Sequence, residues 1–280
     1  MAFAHLHVHT EYSLLDGSNK IKEYIARVKE LGMTSAAITD HGVMYGCIDF
    51  YKAAREAGIK PVLGCEVYVA PGSRFDKEAN TSEARYYHLV LLAENDTGYA
   101  NLMKIVSKGF VDGFYYRPRV DHALLAEYHE GIIALSACLA GEVQRYLGAG
   151  LYEEAKSAAL RYREIFGENH FFLELQDHGL AEQKAVNVQL VRMSEETGIP
   201  LAATNDCHYT YAQDADAHDI LLCLQTGKKL ADQDRMRYEG GQYFVKSEAE
   251  MRALFPYAPQ AIENTQKIGT AAMSKSDFMS

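Results

Sequence analysis

No stretch of about 18 apolar residues occurs in this 280-residue chain, so no membrane-spanning helix is expected. The first ten residues, MAFAHLHVHT, lack the apolar core of a secretory signal. Cysteine is scarce: there are five, an odd number, with no CxxC pair. That argues against a disulfide framework and for a reducing, cytoplasmic setting. Basic charge is also short, with 28 Lys+Arg against 38 Asp+Glu and a formal net charge of −10. A nucleic-acid footprint over the whole surface is thereby excluded, although a local basic groove is not. No repeat, low-complexity tract or long Pro/Gly/Ser linker is present. What remains is a globular composition, 48% hydrophobic and 24% charged, with enough apolar surface for a core. One large α/β domain accounts for this length.

Periodicity divides the chain into short apolar strands and amphipathic helices. Strands are expected at Phe3–His9, Ser35–Thr39, Lys60–Ala70, Tyr86–Ala93, Gly131–Ser136, His170–Gln176 and Pro200–Asn205. Helices are expected from Ile21 to Leu31, Tyr45 to Ala57, Gly98 to Gly109, Leu151 to Phe166 and Ala181 to Thr197, with further helical segments to about Gly269. The alternation implies parallel βαβ units, and seven of them suggest a (β/α) barrel, with an open doubly wound sheet as the alternative. Residues 1–270 then form one domain and 271–280 a tail or a truncation point. Residues 71–85 read as a polar, mobile loop.

The 11 histidines are the unusual feature. In a parallel α/β barrel the functional groups sit at the C-terminal strand ends. There the chain offers His7 and His9, Asp40 and His41, Glu66, His88, Cys138, and Asp206 with His208. Six of seven strands deliver a potential metal ligand to one rim. Alternation puts both imidazoles of His7-x-His9 on one face, does the same for Asp206-x-His208, and turns Cys207 away. Imidazole and thiolate suit zinc, and carboxylates also admit manganese, iron or magnesium. The set exceeds one tetrahedral site, so two or three ions are inferred, with Glu66 able to bridge. Such sites clamp phosphate oxygens and activate water, so the expected chemistry is phosphoester hydrolysis.

Other residues have plainer readings. His5 shares the face of His7 and His9 and reads as a core histidine. Cys65 and Cys207 alternate with ligands and read as structural; Cys47 and Cys223 lie on helices and read as core. His122, His129, His170 and His218 lack strand-end context and read as surface or capping residues. Asp40 either orients His41 or caps the next helix. The segment Phe114-Tyr115-Tyr116-Arg117-Pro118-Arg119 interleaves aromatics with arginine, as loops that stack bases and hold phosphates do. His178, in Gln176-Asp177-His178-Gly179, either touches substrate or belongs to a polar turn.

These motifs resemble the PHP (polymerase and histidinol phosphatase) superfamily. HLHVHTEYSLLDG, AITDHGVMYG, GIKPVLGCEVYV, GFYYRPRVD, FFLELQDHG and ATNDCHY are similar to the amino-terminal PHP domains of bacterial DNA polymerase III α subunits. The resemblance runs from Phe3 to Gly269. It implies a distorted (β/α)7 barrel with three metal ions: one on His7, His9, Glu66 and Asp206, a second on Glu66, His88 and Cys138, and a third on Asp16, His41 and His208. Asp16 enters only through the resemblance.

All nine ligand residues are present, which the resemblance connects to a metal-dependent 3′→5′ exonuclease using zinc, manganese or iron. Glu66 and Asp206 would be catalytic, with Arg117, Arg119 and His178 steadying the phosphate. The implied partners are a DNA 3′ end or another phosphoester, the rest of a polymerase α subunit, and a separate proofreading subunit. Two other functions are open at this point: a silent structural or docking module, and a stand-alone small-molecule phosphatase. The family's polymerase palm would lie downstream, so DNA synthesis is not expected of this chain.

Overall fold

The computed structural model describes residues 3–78 and 85–271. The expected loop therefore lies partly, and the expected tail almost wholly, outside the described residues. An extended segment, residues 3–10, opens the chain. It is followed by α1 (Ile21–Glu30), β1 (Ser35–Ile38), α2 (Cys47–Ala57), β2 (Lys60–Val69) and β3 (Tyr87–Ala93). Next come α3 (Asp96–Val111), β4 (Arg119–Val120), α4 (His122–Glu127), β5 (Ile132–Leu135), α5 (Glu142–Gly148), α6 (Tyr152–Phe166) and β6 (Phe171–Leu175). The remainder is α7 (Ala181–Thr197), β7 (Leu201–Ala203), α8 (Ala215–Thr226), α9 (Glu248–Leu254) and α10 (Pro259–Ala271).

The sheet runs β1-β2-β3-β5-β6-β7, with the short β4 paired to β2. The opening segment joins its two ends. His5 and Val8 accept backbone bonds from Ala37 and Thr39 on one side, and residues 7–9 exchange bonds with Cys207 on the other. Lower down, that second seam is filled by α10, which packs against β7 and whose Thr265 hydroxyl accepts from the Ala4 amide. The result is a curled, distorted barrel of seven staves, as expected, with two departures.

First, not all staves are parallel: β3 runs antiparallel to both β2 and β5. Pairing of Tyr68 with His88 therefore puts the start of β3 beside the end of β2. His88 reaches the functional rim from the beginning of its strand rather than from its end. Second, the opening segment is not a regular strand. Ala4 and Leu6 pack in the barrel interior, whereas Phe3 and Val8 pack in the outer core. A bend at His7 breaks the alternation. His5 consequently does not share a face with His7. It is fully buried, and its Nε2 donates to the Lys246 carbonyl, which bears out the core reading.

Apolar packing explains the layering. One cluster fills the space between helices and sheet, and a smaller one fills the barrel floor with Leu6, Val62, Val90, Leu92, Leu135 and Phe172 among others. Every second residue on a stave faces inward. Following that parity upward, β2 passes from Val62 through Gly64 to Glu66, β6 from Phe172 to Glu174 and Gln176, and the β7 stave from Ala202 through Thr204 to Asp206. The floor is apolar and the top polar on each stave. Gly64 is required at the change-over, because a Cβ there would lie 2.5 Å from the Leu91 carbonyl oxygen.

Candidate metal centre

Glu66 is the hub of the polar layer. It is 1% exposed, and each of its carboxylate oxygens faces two imidazoles. Oε1 lies 3.2 Å from His7 Nε2 and 3.1 Å from His88 Nδ1; Oε2 lies 3.3 Å from His9 Nε2 and 2.8 Å from His41 Nδ1. Asp206 Oδ1 stands 3.1 Å from both His7 Nε2 and His9 Nε2. Cys138 Sγ is 3.7 Å from His88 Nδ1. On the other flank Asp16 Oδ2 is 2.7 Å from His41 Nε2 and 3.8 Å from His208 Nε2.

Three of the rings are held from behind. His7 Nδ1 meets Glu174 Oε1 at 2.5 Å, His9 Nδ1 meets the Ser13 hydroxyl at 3.2 Å, and His208 Nδ1 donates to the Asp206 carbonyl at 2.7 Å. Anchoring the rear nitrogen fixes the ring and leaves Nε2 pointing into the pocket. His41, His9 and His208 stack in series, with ring centroids 3.9 and 4.4 Å apart.

His88 Nδ1 is hydrogen-bonded to Glu66 Oε1, but most of the converging atoms do not satisfy one another. His7 Nε2, His9 Nε2, both nitrogens of His41, Glu66 Oε2, Asp16 Oδ1 and Asp206 Oδ1 are buried without a hydrogen-bond partner. Buried polar groups are rarely left so. Their separations suit donors directed at a common point, and the donor set is the one divalent transition metals take. Among the described residues, three groups are close enough to hold an ion: His7, His9 and Glu66; Glu66, His88 and Cys138; and His9, His41 and His208.

The electrostatics agree. Burial pushes His7 down, but Asp206, Glu174 and Glu66 outweigh it and hold its pKa well above the usual value. Burial likewise opposes His41, yet Glu66 and Asp16 lift it to about 10. His9 goes the other way, to about 3, because of burial and then the neighbouring His41 and His208. Burial would raise Glu66, but the surrounding histidines hold it well below the carboxylate range. The pocket is thus a carboxylate cage that favours positive charge.

A family model described as "PHP domain" matches residues 5–178, more than half of the chain. The chain belongs to the PHP domain family. It is 47% identical over 268 residues to the DNA polymerase III subunit alpha of Treponema pallidum, covering 96% of this chain and 23% of that protein. The corresponding protein of Helicobacter pylori is 46% identical over 287 residues, covering 99% and 23%. The chain therefore spans about a quarter of the length of these relatives. Among solved structures, an amidohydrolase from Chromobacterium violaceum shares the fold at 15% identity and a TM-score of 0.50, covering 74% of this chain and 88% of that one.

Within this PHP fold the nine expected ligand positions converge, whereas the three residues expected on the phosphate separate. Arg117 is exposed and lines the pocket mouth beside His41 and His88. Arg119 is turned inward at 4% exposure. Its guanidinium is spent on the carbonyls of Gly113, Arg74, Asp76 and Arg85, so it staples loops instead of meeting a phosphate. His178 is 3% exposed. Its Nε2 donates to the Asn205 carbonyl and its Nδ1 accepts from Gln183, which leaves no nitrogen for substrate. Burial also lowers its pKa to about 4, so it carries no charge at neutral pH.

The reading of His218 as a surface or capping residue fails too. It is buried in α8, and its Nε2 donates to the Asp16 carbonyl at 2.7 Å, fixing the loop that presents Asp16. Asp40 neither orients His41 directly nor caps a helix. It accepts from the Thr10 amide and hydroxyl and from Ser13, and thereby holds the residue behind His9.

Two participants escaped the sequence reading. Glu174 lies below His7 and also accepts from Gln176 and Thr204. Its signal was a lone carboxylate inside the apolar strand FFLEL. Tyr238, from the region after α8, places its hydroxyl 3.2 Å from His208 Nε2 and 3.4 Å from Asp16 Oδ2. Nothing in its sequence context marks it.

Replacing Glu174 by Gln keeps the shape but removes the charge behind His7. Titration calorimetry with Mn²⁺ is expected to give 10- to 100-fold weaker binding, about the range for such supporting carboxylates. Unchanged affinity would show that His7 is oriented without it. A second expectation concerns acid. His5, His178 and His218 are each depressed to about 4, with burial the largest cause. Between pH 6.5 and 4 the unfolded chain binds more protons than the folded one, so stability falls as pH falls, by up to about 1.4 kcal/mol per unit for each group. Urea midpoints across that window should show the loss, and His178→Gln should flatten it.

Proposed function

We propose that this chain is the PHP region of a bacterial DNA polymerase III α subunit and acts as a metal-dependent phosphoesterase on DNA 3′ ends. The observation that carries the reading is the set of buried, unpartnered donor atoms converging around Glu66. The polymerase assignment rests on similarity covering 96% of the chain.

In this reading three ions are held as follows: the first by His7, His9, Glu66 and Asp206, the second by Glu66, His88 and Cys138, and the third by Asp16, His41 and His208. Bound ions would polarise a phosphoryl oxygen and make an attacking water acidic near neutral pH. The chain's own residues do the rest. Glu66 and Asp206 set the spacing of the site. Asp16 and His41, at the pocket mouth, face the incoming phosphate. Arg117, exposed at the same mouth, would neutralise a phosphate oxygen and its developing charge.

A second reading keeps the ions but assigns them to structure, since metal-binding energy is also folding energy. The burial of so many charged groups favours it as a contribution, and it predicts hydrolysis of nothing.

The deciding assay is nucleotide release from 3′-labelled single-stranded DNA by the purified chain with added Mn²⁺ or Zn²⁺. Wild type is expected to release nucleotides. Asp206→Asn and Glu66→Gln are expected to lose at least 100-fold while keeping the wild-type circular dichroism spectrum. Release that survives both substitutions would refute the site. A chain that binds metal, gains melting temperature from it and releases nothing would support the structural reading.

A further inference from the structure

The pocket does not end at its metal-binding floor. A track of aromatic rings and arginines leaves His88 and runs out onto the surface. The His88 ring lies parallel to Tyr86 at a centroid distance of 6.0 Å, and Tyr86 meets Tyr68 edge-on at 4.9 Å. The Arg117 guanidinium sits over Tyr68 at 5.8 Å. Beyond Arg117 the next ring is Tyr116, which is 58% exposed and carries the Arg85 guanidinium over its face at 4.1 Å. Tyr115 supports Tyr116 edge-on at 4.6 Å.

The outer end of the track is rigid. The Tyr115 amide donates to the Arg117 carbonyl at 3.0 Å, forming a tight reversal. Tyr116 at its tip has φ 61°, a left-handed conformation that costs a bulky residue free energy and is adopted where surroundings impose it. They do so here through Arg119, whose buried guanidinium ties Gly113, Arg74, Asp76 and Arg85 together beneath the loop. An aromatic ring is thus held exposed, in a strained backbone, on a stapled base, beside two solvent-facing arginines.

We infer that Tyr116, Arg85 and Arg117 form a docking surface for single-stranded DNA, stacking a base on Tyr116 and leading the 3′ end past Tyr68 and Tyr86 into the pocket. Alternating π-faces and cations suit a chain of bases and phosphates, and stacking of this kind is tolerant of sequence. The two local arginines supply positive charge that the chain as a whole, at −10, lacks. The inference rests on the phosphoesterase reading for its direction, but its test does not depend on turnover.

Binding of a 5′-fluorescent oligodeoxynucleotide is followed by anisotropy in Asp206→Asn, with the chain otherwise intact. In that background Tyr116→Gly removes the ring and relieves the left-handed strain, so the fold is kept. It is expected to raise Kd about tenfold, whereas Tyr116→Phe, which keeps the ring, should stay within about twofold of the parent. Arg85→Ala should weaken binding and reduce the slope of log K against log salt by about 0.7. Hydrolysis of a small phosphomonoester by the otherwise wild-type chain should be unaffected by Tyr116→Gly. Unchanged DNA affinity in Tyr116→Gly overturns the surface, and would turn attention to a protein partner for this loop. If the wild type hydrolyses no phosphoester yet binds DNA through Tyr116, the docking surface stands and the hydrolytic reading falls.

Discussion

A buried glutamate that faces four histidines sets the terms for the rest of this molecule. Taking Glu66 out of water is costly, and its neighbours Asp206 and Glu174 add two more buried carboxylates. Against the opposing effect of burial, the surrounding carboxylates hold the pKa values of His7 and His41 above the usual range. That arrangement leaves seven converging donor atoms without hydrogen bonds. Divalent cations would satisfy the same atoms and the same charge together. The barrel supplies the position: Glu66 is the inward residue of β2 just above the apolar floor, at the level where polar side chains also begin on β6 and β7.

Around that hub the backbone is bent out of its comfortable range. Among the described residues, five other than glycine have left-handed φ, and three of them belong to the site. Leu15 precedes Asp16, Ala137 precedes Cys138, and Asp206 is itself an expected ligand position. Such conformations survive only where packing and hydrogen bonds over-determine them. His218 behind Asp16, Gln144 bonded to Ser136 and the Ala137 carbonyl, and His208 bonded to the Asp206 carbonyl provide that support. The converging side chains are therefore held in place by polar residues packed behind them, Glu174 and the Asp40–Ser13 pair among them.

Much of this was legible in the sequence, because the signals were periodic or dense. Seven staves and the main helices follow from apolar spacing, and eight of the nine converging positions follow from strand-end chemistry or its near neighbourhood. Asp16 was reached only through family resemblance, since a loop carries no period. The failures have a common cause. The reversal of β3 and the bend at His7 are decided by tertiary pairing, which residue alternation does not encode. The packing of Arg119, His178 and His218 is not readable from sequence, because it depends on which buried carbonyls lie in reach. Arg119 looks like a phosphate ligand in sequence and is a staple in space. His218 looks peripheral and holds up the Asp16 loop.

The most direct test of the account is anomalous diffraction from crystals of the chain loaded with Mn²⁺ or Zn²⁺. At least two peaks are expected inside the pocket, flanking Glu66: one among His7, His9 and Asp206, and another by His88 and Cys138. A third is expected by Asp16, His41 and His208. Crystals that hold metal only at the surface, with the Glu66 cage empty and its geometry unchanged, would contradict it.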